Sequence, residues 1–352
     1  MSSIAIKIPQ PPRLSARWIV NARADWFWFI GSALISYCYI FLNVVAGVPL
    51  PLLMWIWSVG FDGTHIFGMA SRTYFDKQER VERKRLLFGS LIFFFSLGPV
   101  LVLVGLKLLL IMIVAVWAYY HVIRQHYGFM VLYKAKNRDT HPIDNKIDRL
   151  FLAVMLVFPP FHRFFIHRPQ ELGLPAKGAL EAAVPWLEAA LWVGVFSVAA
   201  IFLLRQLQKW RRRETLNLPK YALLLAVVPL HWIVFVYMGP QGAVPTITIF
   251  HNLQYHGLIW FYNRNKYLNS EAQEAHGIIP ALVSRRVLYY LGFALIFSLA
   301  YRVPGYWLGQ HLRNDLAFGF FWGFGLTHYY LDSKIWRVRS DKQLKDVLRL
   351  KG

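Results

Sequence analysis

The residues of this chain that could do chemistry are histidines set in apolar surroundings. The stretch Thr246–Tyr262, TITIFHNLQYHGLIWFY, carries His251 and His256. A second stretch contains YYHVIRQHYGFM, with His121 and His126. Two further apolar segments each hold one histidine beside a threonine, Thr64-His65 and Thr327-His328. Asp62 lies three residues before His65 and Asp332 four after His328, so each shares a helical face with its histidine. Ionisable groups inside a membrane segment are costly and default to a functional role. Six imidazoles with two carboxylates form the donor set of a metal site. Asp62 and Asp332 serve either as ligands or as acceptors that orient a ligand ring. The single cysteine, Cys38, rules out an internal disulfide and a thiolate cluster. Iron, zinc, copper and manganese remain compatible with imidazole and carboxylate donors.

The spacing within the pairs constrains this site. His121/His126 and His251/His256 are five residues apart, which on a regular helix is about 140° of rotation and about 7.5 Å of rise. Two such rings cannot chelate one ion from one regular helix. They either flank two ions or are brought into line by a π-bulge. Gln125 and Asn252 each stand four residues from a paired histidine and are candidate hydrogen-bond partners. Arg124, between His121 and His126, is expected to pair with Asp62, Asp332 or an anionic substrate group, or to point to the interface. His162, His167 and His311 fall at the other face, His141 and His276 in loops, and His231 in mid-span. These six are set aside as interfacial or structural.

The elements that must position the ligands are transmembrane helices. The 352 residues are 57% hydrophobic and only 16% charged, well below the charge of an ordinary soluble domain. The pattern predicts an all-α, polytopic bundle of about ten spans. These are residues 26–46, 50–70, 86–105, 108–133, 148–166, 186–205, 220–238, 244–263, 287–302 and 315–333, the ninth being short for a span. Residues 1–25 and 334–352 read as cytosolic tails around one membrane domain, 26–333, and no signal peptide is evident. The net charge of +21 falls largely in alternate loops, including RTYFDKQERVERKR, RQLQKWRRR and the C-terminal SKIWRVRSDKQLKDVLRLK. That pattern argues against nucleic-acid binding. It places those loops and both termini in the cytosol, as for a multi-pass protein of a bacterial inner membrane. On this topology the six site histidines lie roughly 8–20 Å below the cytosolic surface.

The boxes HVIRQH (His121–His126) and HNLQYH (His251–His256), with their cytosolic depth, resemble those of the integral-membrane histidine-box oxygenases. That group includes fatty acyl desaturases, alkane hydroxylases and sterol or carotenoid hydroxylases. The HXXHH boxes of that group are absent, and its members have four to six spans. A second resemblance is to the bacterial membrane β-carotene dioxygenases, which also use scattered intramembrane histidines. The first resemblance implies a non-haem di-iron centre held by His65, His121, His126, His251, His256 and His328. It also implies O₂-dependent monooxygenase or desaturase chemistry on a lipid or other apolar substrate, and electrons from a cytosolic ferredoxin-type donor. Three other classes stay open at this point. They are a haem-carrying electron-transfer protein, a metal or proton transporter, and a zinc-dependent lipid-modifying enzyme.

Overall fold

The computed structural model describes residues 14–173, 178–268, 273–311, 314–338 and 341–348. Residues 1–13 of the expected N-terminal tail and 349–352 of the C-terminal one lie outside them. The described chain is almost entirely helical. Ten long helices succeed one another: α1 (Ala22–Val45), α2 (50–71), α3 (Lys84–Leu103), α4 (Lys107–Lys136), α5 (Pro142–His167), α6 (Val184–Arg211), α7 (Leu218–Tyr237), α8 (240–268), α9 (Val287–His311) and α10 (Asn314–Ile335). Seven are long and apolar enough to cross a membrane. The other three are α2, α8 and α10, and they carry His65, the His251/His256 pair and His328. Polar side chains are what lower their hydropathy. The ninth helix is not short: it continues from residue 302, where the apolar run stops, to His311.

Local chemistry sets the helix ends. Proline occupies the first turn of α2, α5, α6 and α8, where its missing N–H costs nothing. Gly47 (φ +68°) and Gly105 (φ +78°) end α1 and α3 in the left-handed region, which a side chain resists. A π-turn interrupts α2 at Ser58–Asp62, just before His65. The extra residue rotates the next helical turn, and with it the direction in which His65 points. The Ser298 hydroxyl of α9 donates to the Val59 carbonyl inside that π-turn at 2.7 Å.

The chain forms two compact units. Among the described residues, the first comprises those within 14–21 and 127–236, and the second those within 22–126 and 237–348. In the first, α5, α6 and α7 pack through Met155, Phe158 and Val195, with Trp192 and Trp232 against them. A short parallel pairing, Leu14↔Leu216 and Ser15↔Asn217, ties the N-terminal segment to the start of α7. The first unit also buries a charge network that the loop reading of its basic residues does not anticipate. Asp148 takes Lys134 and Lys220, the latter at 3.2 Å. Asp139 takes Lys220 at 3.0 Å and Lys209 at 2.8 Å. Asp144 takes Lys209 at 3.2 Å and Arg205 at 2.6 Å. None of the three lysines is more than 3% exposed, so part of the basic excess is internal.

The second unit holds the candidate ligands. Its core gathers Ile66, Phe67, Tyr255, Ile259, Tyr290 and Leu331 from α2, α8, α9 and α10. Small residues let these helices touch. A Cβ on Gly98 of α3 would lie 1.9 Å from the Gly319 carbonyl oxygen of α10, and one on Gly63 would lie 2.0 Å from the Ser298 hydroxyl. Close backbone approach of this kind is how apolar helices associate within a membrane.

Below α2, Asp76 caps the short helix Lys77–Glu82 through the Gln78 and Glu79 amides. It also accepts from Lys266 at 2.9 Å, Tyr267 at 3.0 Å and His276 at 2.9 Å. Burial raises the Asp76 carboxyl, but Lys266 and His276 outweigh it and hold the pKa below the ordinary 3.8. A depressed carboxylate contributes stability above its unfolded pKa and loses it as pH falls through the folded one. Asp76→Asn should therefore lower stability by about 2 kcal/mol at pH 7, on the scale of charged hydrogen bonds. The difference from the parent should shrink below pH 4. Thermal unfolding in detergent across pH reads this, and a pH-independent difference would contradict it.

Candidate metal centre

Each ligand-bearing helix contributes to one buried cluster in the second unit. His65, His251 and His328 place one donor atom each within 4.8 Å of the others. His121, His328 and Asp332 do the same, so His328 belongs to both groups. The Nε2 atoms of His65 and His328 are 3.2 Å apart. Two ligands of one ion, each about 2.1 Å from it, stand about 3.0–3.4 Å apart in octahedral or tetrahedral geometry. None of these five residues is more than 8% exposed.

Several contacts prepare these donors. His65 Nδ1 donates to the Asp62 carbonyl at 2.6 Å, which leaves the Nε2 lone pair facing His328. Tyr255 donates to Asp332 Oδ1 at 2.8 Å, so Oδ2 is the oxygen turned to the imidazoles, 3.8 Å from His328 Nε2 and 3.9 Å from His121 Nε2. Gln125 donates to the His251 carbonyl at 2.8 Å and joins α4 to α8. The rings pack edge to face, with centroids of His65 and His328 4.6 Å apart and of His121 and His251 5.0 Å apart.

Among the described residues, His121 Nε2, His251 Nδ1 and His328 Nδ1 have no hydrogen-bond partner. Leaving a buried polar atom unmatched costs about 1–3 kcal/mol. Four imidazoles and one carboxylate that converge, among the described residues, with only the Tyr255 hydroxyl donating to Asp332 Oδ1 suit a divalent cation. The donor set fits iron, zinc or copper.

The five-residue spacing resolves without a bulge. Both α4 at His121–His126 and α8 at His251–His256 are regular α-helix, so one ring of each pair enters the cluster and the other turns away. His256 Nε2 is 3.0 Å from the Thr64 hydroxyl, and Nδ1 is 3.0 Å from the Tyr290 hydroxyl. The Thr64 proton has carbonyl acceptors at Gly60 and Phe61, so His256 donates to Thr64 and accepts from Tyr290. Both of its nitrogens are then in use. His126 is fully buried against Phe250, with ring centroids 5.3 Å apart, and stands in neither group. Asn252 is also fully buried, and its amide finds no hydrogen-bond partner among the described residues.

Asp62 stands outside both groups and is ion-paired with Arg302 of α9. Of the roles expected for Arg124, pairing with Asp62 falls instead to Arg302, and the exposure of Arg124 accords with a position at the interface. A buried cation, Arg72, lies between the rings of Tyr262 and Trp336, 4.0 and 4.1 Å from their centroids. Arg302 closes the apolar run of the ninth span, which was the available signal. For Arg72, embedded in a basic loop sequence, there was none.

Compared with known proteins, the chain matches no family model, no curated protein and no solved structure.

Proposed function

We propose that this chain is a membrane-embedded, metal-dependent oxidoreductase that uses O₂ to hydroxylate or desaturate a lipid or other apolar substrate. The observation that carries the reading is the convergence of His65, His121, His251, His328 and Asp332 from four separate helices into a buried, mutually packed set. Non-haem iron is the proposed cofactor. Bound there, it would supply the site for O₂ activation. The chain's own part is to hold the donors, to keep Asp332 oriented through Tyr255, and to exclude water with a wall of aromatic rings. A dinuclear centre would further require His126 and His256 to leave their present contacts. Packed imidazoles favour a compact ion over haem, whose porphyrin plane must pass between its axial rings.

The proposed topology is ten spans with both termini cytosolic, which brings the ligands near the face where a reductant docks. An external donor is required, because the chain has no flavin motif or thiolate cluster. Arg80 and Arg85 are exposed there, whereas Arg83 is tied to Glu79 at 3.2 Å and Asp341 at 3.7 Å. An acidic ferredoxin-type protein fits that surface, with rates that fall as salt rises.

Metal analysis of detergent-purified protein, followed by turnover assays with and without O₂ and reductant, tests the reading. Iron and a strict need for both are expected. Zinc alone, or full activity under anaerobiosis without reductant, would remove the oxygenase reading in favour of a zinc-dependent enzyme. A Soret band would replace it with haem chemistry.

A further inference from the structure

The first unit contains a third pair of histidines five residues apart, H162-RFFI-H167, and here the backbone differs. His162–His167 is a π-helical turn at the end of α5, not α-helix. In a π-turn the backbone bond runs from i to i+5, so residues five apart lie much closer in rotation than they do on an α-helix. The pairs on α4 and α8 diverge, whereas this pair converges, with ring centroids 4.3 Å apart. Both rings turn to one carboxylate oxygen. Glu188 Oε1 of α6 lies 2.8 Å from His162 Nε2 and 3.2 Å from His167 Nε2. One donor atom from each of the three residues lies within 4.8 Å of the others.

We propose that His162, His167 and Glu188 form a second metal site, separate from the buried cluster, that takes a divalent transition ion such as Cu²⁺ or Zn²⁺. Two imidazoles and a carboxylate are borderline donors suited to these ions, with Cu²⁺ bound more tightly than Zn²⁺. The site is built rather than incidental. Phe158 stacks on the His162 ring at 5.0 Å and Trp192 packs edge-on at 5.4 Å. The neighbouring Arg163 pins the π-turn by gripping Glu171 at 2.8 and 2.9 Å and the carbonyls of Phe235 and Val236 at 2.9 and 3.0 Å. His167 is half exposed, so an ion can enter from solvent, and water completes its coordination.

The test adds Cu²⁺ to the detergent-purified full chain and records electron paramagnetic resonance spectra during the titration. The expected result is one saturable equivalent, beyond any that the buried cluster takes, whose spectrum carries coupling to two imidazole nitrogens. Binding should weaken by about tenfold or more in His162→Gln, His167→Gln and Glu188→Gln. It should persist in His328→Ala, which disables the buried cluster and separates the two sites. Size-exclusion elution and helical circular dichroism establish that each variant is folded. No such equivalent in the parent, or undiminished binding in a folded His162→Gln/His167→Gln double variant, would overturn the site and leave the three side chains as an ion-paired cluster.

Discussion

Replacing His328 by alanine should reduce the metal held by the buried cluster to near zero, whereas His256→Gln should leave it almost intact. The two histidines are both buried and both sit in apolar helices, so burial does not separate them. Their nitrogens do. His328 belongs to both donor groups, and its Nε2 faces His65 Nε2 at 3.2 Å and Asp332 Oδ2 at 3.8 Å. Removing it leaves two pairs of donors where there were two triads. His256 already has a partner on each ring nitrogen, Thr64 and Tyr290. A glutamine there still supplies a donor and an acceptor. Elemental analysis per mole of folded protein reads the contrast, with activity as a second readout. Equal metal in the two variants would show that the ion is held elsewhere.

The largest stability effect should come from the first unit. Asp148→Asn removes the negative charge shared by Lys134 and Lys220, both buried. Breaking a buried ion pair from one side leaves uncompensated charge and typically costs about 3–5 kcal/mol. Here two ammonium groups lose a shared counter-charge, and Lys220 keeps Asp139 at 3.0 Å. The matched control is Asp315→Asn. Its pair with Lys107 is short, at 2.5 Å, but the two side chains are 53% and 44% exposed. Such a surface pair is worth about 0–1 kcal/mol. Thermal unfolding of both variants in the same detergent should therefore show a large loss for Asp148→Asn and almost none for Asp315→Asn. Similar losses would mean that the network is hydrated in solution.

What could be read from the sequence depended on the range of the interaction. Apolar runs located the helices closely. The stretch 220–238 corresponds to α7 at Leu218–Tyr237, and 315–333 to α10 at Asn314–Ile335. Helical spacing also showed that His121 and His126 could not serve one ion from one face. It could not say which ring of each pair faces inward, because that depends on helix rotation set by packing against other helices. Partners distant in sequence were equally hidden. Asp62 with Arg302, Lys209 with Asp139, and His256 with Tyr290 leave no local trace. Lys134 and Lys209 looked like loop charges because positive residues collect at helix ends, and only the fold brings aspartates to them. The π-turns were illegible for a similar reason: HRFFIH and HVIRQH share one spacing but take different backbones.

The placement of His328 also orders events in time. Protein synthesis proceeds from the N-terminus, and the residue common to both donor groups is on the last of the ten long helices. His65, His121 and His251 are all made before it. No growing chain can present the complete set of five donors until α10 has left the ribosome and docked against α3 through Gly98 and Gly319. On the proposed metal reading, loading of the buried cluster therefore follows the synthesis of α10, and a chain cut short before it would lack both His328 and Asp332.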